Sequence, residues 1–197
     1  MRAIANLDLT GYTQRDEEDV WTDDQGVIIS THYFDMVPDL PAGLDEPDRL
    51  KSGLARFIAG AGAGLIEASV VQIDALPAVW QLAKVSRPNG TGQVFLGSYT
   101  VPKAMSSVVI KAQAAEGGMT GFREAVVLDR LGPERYFQPH PYAADLQGGL
   151  PYHAADSVEW DEQFPDHPLT LVRRALSRII PTVRFEEGFR ALPAFTD

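Results

Sequence analysis

Between Ile66 and Ala114 the chain passes through four β-type runs, IEASVVQID, AVWQLAKVSR, QVFLGSYTV and SVVIKAQA, joined by ALP, PNGTG and PKAM. Connections this short favour antiparallel neighbours, because a parallel return needs a crossover of about a dozen residues or more. The meander therefore constrains the fold more than any other stretch. Within AVWQLAKV, Val79, Gln81, Ala83 and Val85 alternate with Trp80, Leu82 and Lys84. Neither set is purely polar, so the sheet should be covered at least partly on both sides.

The flanking segments supply the other elements. VWTDDQGVIISTHYF reads as a hairpin whose turn lies in Asp23 to Gly26. In EPDRLKSGLARFIAGAGAG, Pro47 or Asp48 suits a first helical turn. Leu50, Leu54, Phe57, Ile58 and Ala61 then recur at helical spacing, and the glycines at 60, 62 and 64 stop the run. GAGAG is a helix stop rather than a phosphate loop, since it follows a helix and lacks the GxGxxG or GK[ST] pattern. TGFREAVVLDRL predicts a second helix with Thr120 as cap. Phe122, Val126 (or Ala125), Val127 and Leu128 form its apolar stripe, with Arg123 and Glu124 pointing elsewhere.

The order ββαββββα belongs to the α+β class: an antiparallel sheet with flanking helices, followed by a C-terminal extension with one further helix. Residues 1–131 form the sheet domain, and 132–197 an aromatic, proline-rich loop and a helix packed on the same domain. Residues 132–160 show no period. Their tyrosines, phenylalanine and histidines argue against disorder and for a segment draped over the domain.

Charge is distributed unevenly. Twelve acids and two arginines lie up to Asp48, and from Arg49 onward there are fifteen charges of each sign, so the first quarter carries the whole net −10. The cluster DEEDVWTDD repels phosphate backbones and would suit a basic protein surface; the plainer reading is a solvated edge. The absence of cysteine excludes disulfides, a thiol nucleophile and thiolate zinc sites. No run approaches the ~20 apolar residues of a membrane span, and the N-terminus lacks a signal-peptide core, so a cytoplasmic protein is expected.

The stretch that most resembles chemistry is DEQFPDHPLTLVRRAL. Its residues all have structural uses: Asp166 or His167 as cap, Pro168 in the first turn, Phe164 as a staple. Leu169, Val172, Leu176 and Ile179 line one helix face. The alternative is a metal-dependent hydrolase with a site in the C-terminal segment, its ligands drawn from His153, Asp156 and His167. The histidine gaps match no ligand motif, so no cofactor is expected. No GxSxG elbow is present, and no residue is assigned a catalytic role.

The hairpin around VWTDDQGVII, the helix at DRLKSGLARFI, the meander and the helix at TGFREAVVLDRL together resemble the PsbP-like superfamily, which includes the Ran-release-factor group. The resemblance covers roughly residues 20–131 and rests on element order. It implies a non-enzymatic binding or accessory protein that docks on a larger protein, with no shared catalytic residues to transfer. The candidate contact residues are Asp16, Glu17, Glu18, Asp19 and Trp21 in the acidic edge, with Tyr136, Phe137 and Tyr142 in the aromatic segment. The partner would be a protein, with neither nucleic acid nor membrane involved; self-association is compatible with the same surface.

Overall fold

The computed structural model describes residues 3–88 and 90–196. The meander folds as four long antiparallel strands, β5 (Gly64–Ile73), β6 (Leu76–Ser86), β7 (Gln93–Lys103) and β8 (Ser106–Ala115). Asp74 and Ala75 turn β5 into β6 with both φ angles positive, the geometry that matches strand twist in a two-residue hairpin. The early hairpin adds β3 (Val20–Thr22) and β4 (Ile28–Phe34), and β4 pairs with β8. Asp23 holds its turn by accepting the amides of Gln25 and Val27 through Oδ1. With a two-residue strand β2 (Thr13–Gln14) the seven-stranded order is β2-β3-β4-β8-β7-β6-β5. The class is α+β, as the sequence implied.

Two faces, two covers. Helix α4 (Pro168–Ile179) crosses β7 and β8 on one face. It packs Leu169, Val172, Leu176 and Ile179 against Trp80, Leu82, Phe95 and Ile110. Contact is close because residue 97 is glycine: a Cβ there would stand 2.7 Å from Leu176 and 2.8 Å from Val172. The two-stranded sheet of β1 (Ile4–Asn6) and β9 (Arg184–Phe185), with the short helix α5 (Glu187–Arg190), closes the same core. Helix α1 (Pro47–Gly60) covers the opposite face at β5, burying Leu50, Leu54, Ala55 and Ala59. Phe57, placed in the helical repeat by its spacing, faces solvent instead.

The segment 137–152 protects the β5 edge. The Tyr142 hydroxyl accepts the Ala68 amide, His140 donates through Nε2 to the Leu65 carbonyl, and Leu150 donates its amide to Ala63. An unpaired edge strand invites pairing with another chain, and this segment closes that edge with polar groups of its own. Helix α2 (Phe122–Leu131) and the one-turn helix α3 (Pro133–Tyr136) follow β8.

The expected face of α2 holds in part: Val126, Val127 and Leu128 join an apolar cluster with Tyr136, Ala154, Trp160 and Phe164. Arg123 and Val127 are its buried residues, whereas Phe122 is half exposed. Arg123 turns inward beside this cluster because adjacent turns offer it the Ala155 and Ser157 carbonyls and the Asp161 carboxylate. Gly121, in the left-handed region, occupies the cap position expected for Thr120. No helix among the described residues is long and apolar enough to cross a membrane.

Candidate functional site

Beyond the N-terminus of α4, the face that α4 covers changes from apolar to polar. Lys84 of β6 lies opposite Phe95 of β7, and Phe95 opposite Ala114 of β8. Glu116, two residues further, continues on that face. The row is roofed by a 3-10 turn (Ala154–Asp156), by α2 and by the cap of α4, where the His167 ring meets Phe95 edge-on at 5.2 Å.

Lys84 donates to both Asp156 carboxylate oxygens at 2.9 and 2.7 Å and to His153 Nε2 at 3.0 Å. All three side chains are buried. The three-residue spacing of YHAAD folds as a turn in which Asp156 Oδ2 accepts the His153 amide at 3.0 Å. Since an ammonium only donates, His153 accepts through Nε2 and carries its proton on Nδ1, which stands 3.4 Å from Asp156 Oδ2. Burial pushes the imidazole down to about 4, with Asp156 opposing. Burial also pushes the Lys84 ammonium down, again against Asp156. Tyr136 stacks on the His153 ring at 5.0 Å, and burial raises its phenol. This trio is a closed clamp between sheet and C-terminal segment.

A second chain of charges runs beside it. Arg123 donates to the carbonyls of Ala155 and Ser157, both at 2.8 Å, to Asp161 at 2.9 Å and to Thr170 at 3.0 Å. Asp161 also accepts from Arg173 at 2.8 Å, and Arg173 reaches Glu67 and the Asp156 carbonyl. Glu67 faces this way because a bulge between Leu65 and Glu67 turns it toward α4. The arginines of α4 thus divide: Arg173 is enclosed, while Arg174 and Arg178 lie nearer solvent and donate to the carbonyls of Pro165 and Thr10.

The third cluster holds Glu116, Glu124 and His167. Glu116 accepts the amides of Gln93 and Gly121, each at 2.8 Å. Burial works against its ionisation, but the nearby His167 ring and these amides outweigh it and hold the carboxyl below its usual range. His167 caps α4 by accepting the Leu169 amide at Nδ1, 3.2 Å away. Its Nε2 stands 3.8 Å from Glu116 Oε1, beyond hydrogen-bond reach. The three metal ligands considered from sequence therefore divide between two clusters: His153 and Asp156 serve Lys84, and His167 faces two glutamates. Phe164 also departs from its expected place, since it packs on α2 against Phe122 and Arg123 instead of stapling α4.

The docking residues inferred from sequence do not converge either. Asp16 to Asp19 form an exposed turn between β2 and β3. Trp21 lies beneath β1, in a cleft with Ile4 and Leu7. Tyr136 is buried, Phe137 is exposed and Tyr142 holds the β5 edge. From β3 to β5 the sheet spans about 24 Å at the usual strand spacing, so the two groups occupy opposite edges.

The structure reveals a surface that sequence did not. Phe34, Met36, Val37 and Phe57, exposed by 42%, 62%, 54% and 64%, line one groove between the end of β4 and α1. The groove encloses about 300 Å³, is floored by Gln81, Thr100 and Val109, and has Asp39 as its charged lining residue. At its β4 end the His32 ring stacks on Phe34 at 6.0 Å; burial and the charge of Lys111 push that imidazole down, with Asp19 opposing. No protein-family model matches the chain, and neither does any curated protein.

Proposed function

We propose that the protein is a non-enzymatic docking or accessory protein whose groove between β4 and α1 receives a basic amphipathic segment of another protein. One observation carries the reading: four large apolar side chains project into solvent around a single groove. Scattered exposed hydrophobics need no explanation, but a contiguous set does. Charge selects the occupant. The Phe34 to Leu40 side of the groove belongs to the first 48 residues, which bear the whole net −10, and Asp39 lines it. An apolar helix face flanked by lysine or arginine satisfies both features. The resemblance of the element order to the PsbP-like superfamily favours the same reading.

The test is binding of a labelled leucine–lysine amphipathic helical peptide, with a leucine–glutamate version as control. The lysine peptide should bind at least tenfold more tightly, and a Met36→Ser, Phe57→Ser variant should lose most of that affinity. Binding should also weaken from ~50 to ~500 mM salt, as the Debye length falls from roughly 14 to 4 Å. Equal affinity for the two peptides, or indifference to the paired substitution, would overturn the reading. Concentration-dependent dimerisation abolished by the same pair would replace the partner with a second copy of this chain.

A further inference from the structure

We propose that Glu116, Glu124 and His167 form a binding site for one divalent transition-metal ion of the zinc type. One ligand atom from each lies within 4.8 Å of the other two. A tetrahedral ion with bonds of about 2.1 Å spaces its ligands about 3.4 Å apart, so side-chain rotations closing roughly 1 Å complete the set. The residues come from three distant places: just past β8, the first turn of α2, and the cap of α4.

Two unmet atoms point into the cluster. His167 Nε2 and Glu124 Oε2 are both buried and have no hydrogen-bond partner. The His167 side chain is only 10% exposed. A buried polar atom without a partner calls for one, and here two such atoms belong to one cluster with a second carboxylate, that of Glu116. The basic side chains of the neighbourhood form their ion pairs with other acids. Lys84 is held by Asp156, while Arg123 and Arg173 are held by Asp161 and Glu67. Lys84 also feels the charge of Glu124, but its hydrogen bonds go to Asp156 and His153. The exposed Arg87 donates to the Glu116 carbonyl, not to its carboxylate. Among the described residues no lysine or arginine forms an ion pair with Glu116 or Glu124, although Lys84 and Arg123 both feel the charge of Glu124, and a dication matches the two carboxylates.

The donor set selects the metal. One imidazole with two carboxylates suits zinc, and less tightly manganese, rather than calcium, which takes six or more oxygens. Coordination through Nε2 moves the imidazole proton to Nδ1 and releases the Leu169 amide from its cap. Binding therefore leaves a signature that adventitious surface metal does not.

The experiment uses the full chain, stripped with chelator and titrated calorimetrically with zinc chloride. One equivalent should bind, and zinc should raise the melting temperature. Glu124→Gln and His167→Asn should each weaken zinc at least tenfold. Neither should lower the melting temperature of the metal-free protein: the glutamine relieves one of two adjacent carboxylates, and asparagine is a good helix cap. The ¹⁵N resonances of His167 should exchange protonation between Nε2 and Nδ1 when zinc is added. No zinc bound at about 100 µM, unaltered affinity in both variants, or an unchanged His167 tautomer would each overturn the proposal. Calcium binding as tightly as zinc would overturn the assignment of the imidazole as a ligand.

Discussion

Lys84 is a costly residue to place inside a sheet, because its ammonium gives up water on every side. The cost is met by three acceptors, two of them from one carboxylate, at 2.7 to 3.0 Å. Removing one partner of such a pair leaves the other charged and dry, a loss of about 3–5 kcal/mol. We expect Lys84→Met to destabilise the protein on that scale in urea titrations. The double variant Lys84→Met, Asp156→Leu should recover most of the loss, since apolar replacement of a buried pair is often neutral. A double variant as unstable as the single one would mean that Asp156 has a further structural role. His153 sets a pH dependence in the same place. Its folded value, about 4, lies below the 6.5 of a free imidazole, so the unfolded chain binds more protons between those limits. The associated stability is full above pH 6.5 and falls as the pH drops toward 4. From pH 6.5 to 5 the loss should be about 1.5 kcal/mol. His153→Gln, which can still accept from Lys84, should flatten that slope relative to the wild type; parallel slopes would place the proton uptake elsewhere.

At the scale of elements, α4 and the strand beneath it fit by shape. Gly97→Ala would put a methyl 2.7 to 2.9 Å from Leu176, Val172 and Trp80, so it should cost about 1–3 kcal/mol by overpacking. Leu176→Asp should cost more than about 4 kcal/mol, whereas His167→Ala, without metal, should cost about 1 kcal/mol as a lost cap. Thermal melts of the three, side by side, check that order. Helix α4 was legible in the sequence because its cap, its proline and its 3-4-3 apolar spacing agree. The meander was legible because linkers that short allow one pairing. Strand parity even placed Lys84 on one face with Trp80 and Leu82, which are buried, although nothing local named its partners 69 and 72 residues away. Arg123 was not legible. A hydrophobic stripe finds the apolar part of the inward face, here Val126, Val127 and Leu128, but not a guanidinium buried beside it by the carbonyls of distant turns. Phe57 misled for the converse reason: it sits on the helical repeat, but α1 overhangs a groove there instead of a core.

For the whole molecule, the question is whether the C-terminal third is an attachment or part of the core. Trp80, Leu82, Phe95, Val101 and Ile110 project from the meander toward α4, β9 and α5, all of which come after residue 131. The β5 edge is closed by the segment 137–152, and Lys84 finds its counter-charge at Asp156. The chain ends are joined as well: Ile4 pairs with Phe185, and Glu186 donates its amide to Ala3. Residues 1–131 alone would thus present a bare apolar sheet face, an open edge strand and a lysine without its counter-charge at once. Several large aliphatic and aromatic side chains, each contributing about 1.5–3 kcal/mol when buried, together match the roughly 5–15 kcal/mol margin of an ordinary domain. We therefore expect the 1–131 fragment to be collapsed but not uniquely packed, with retained strand signal in far-ultraviolet dichroism and little near-ultraviolet signal. Adding residues 132–197 as a separate chain should restore a cooperative melt if the core is shared. A cooperative melt and dispersed amide resonances from 1–131 by itself would show instead that the C-terminal third merely rests on a finished domain.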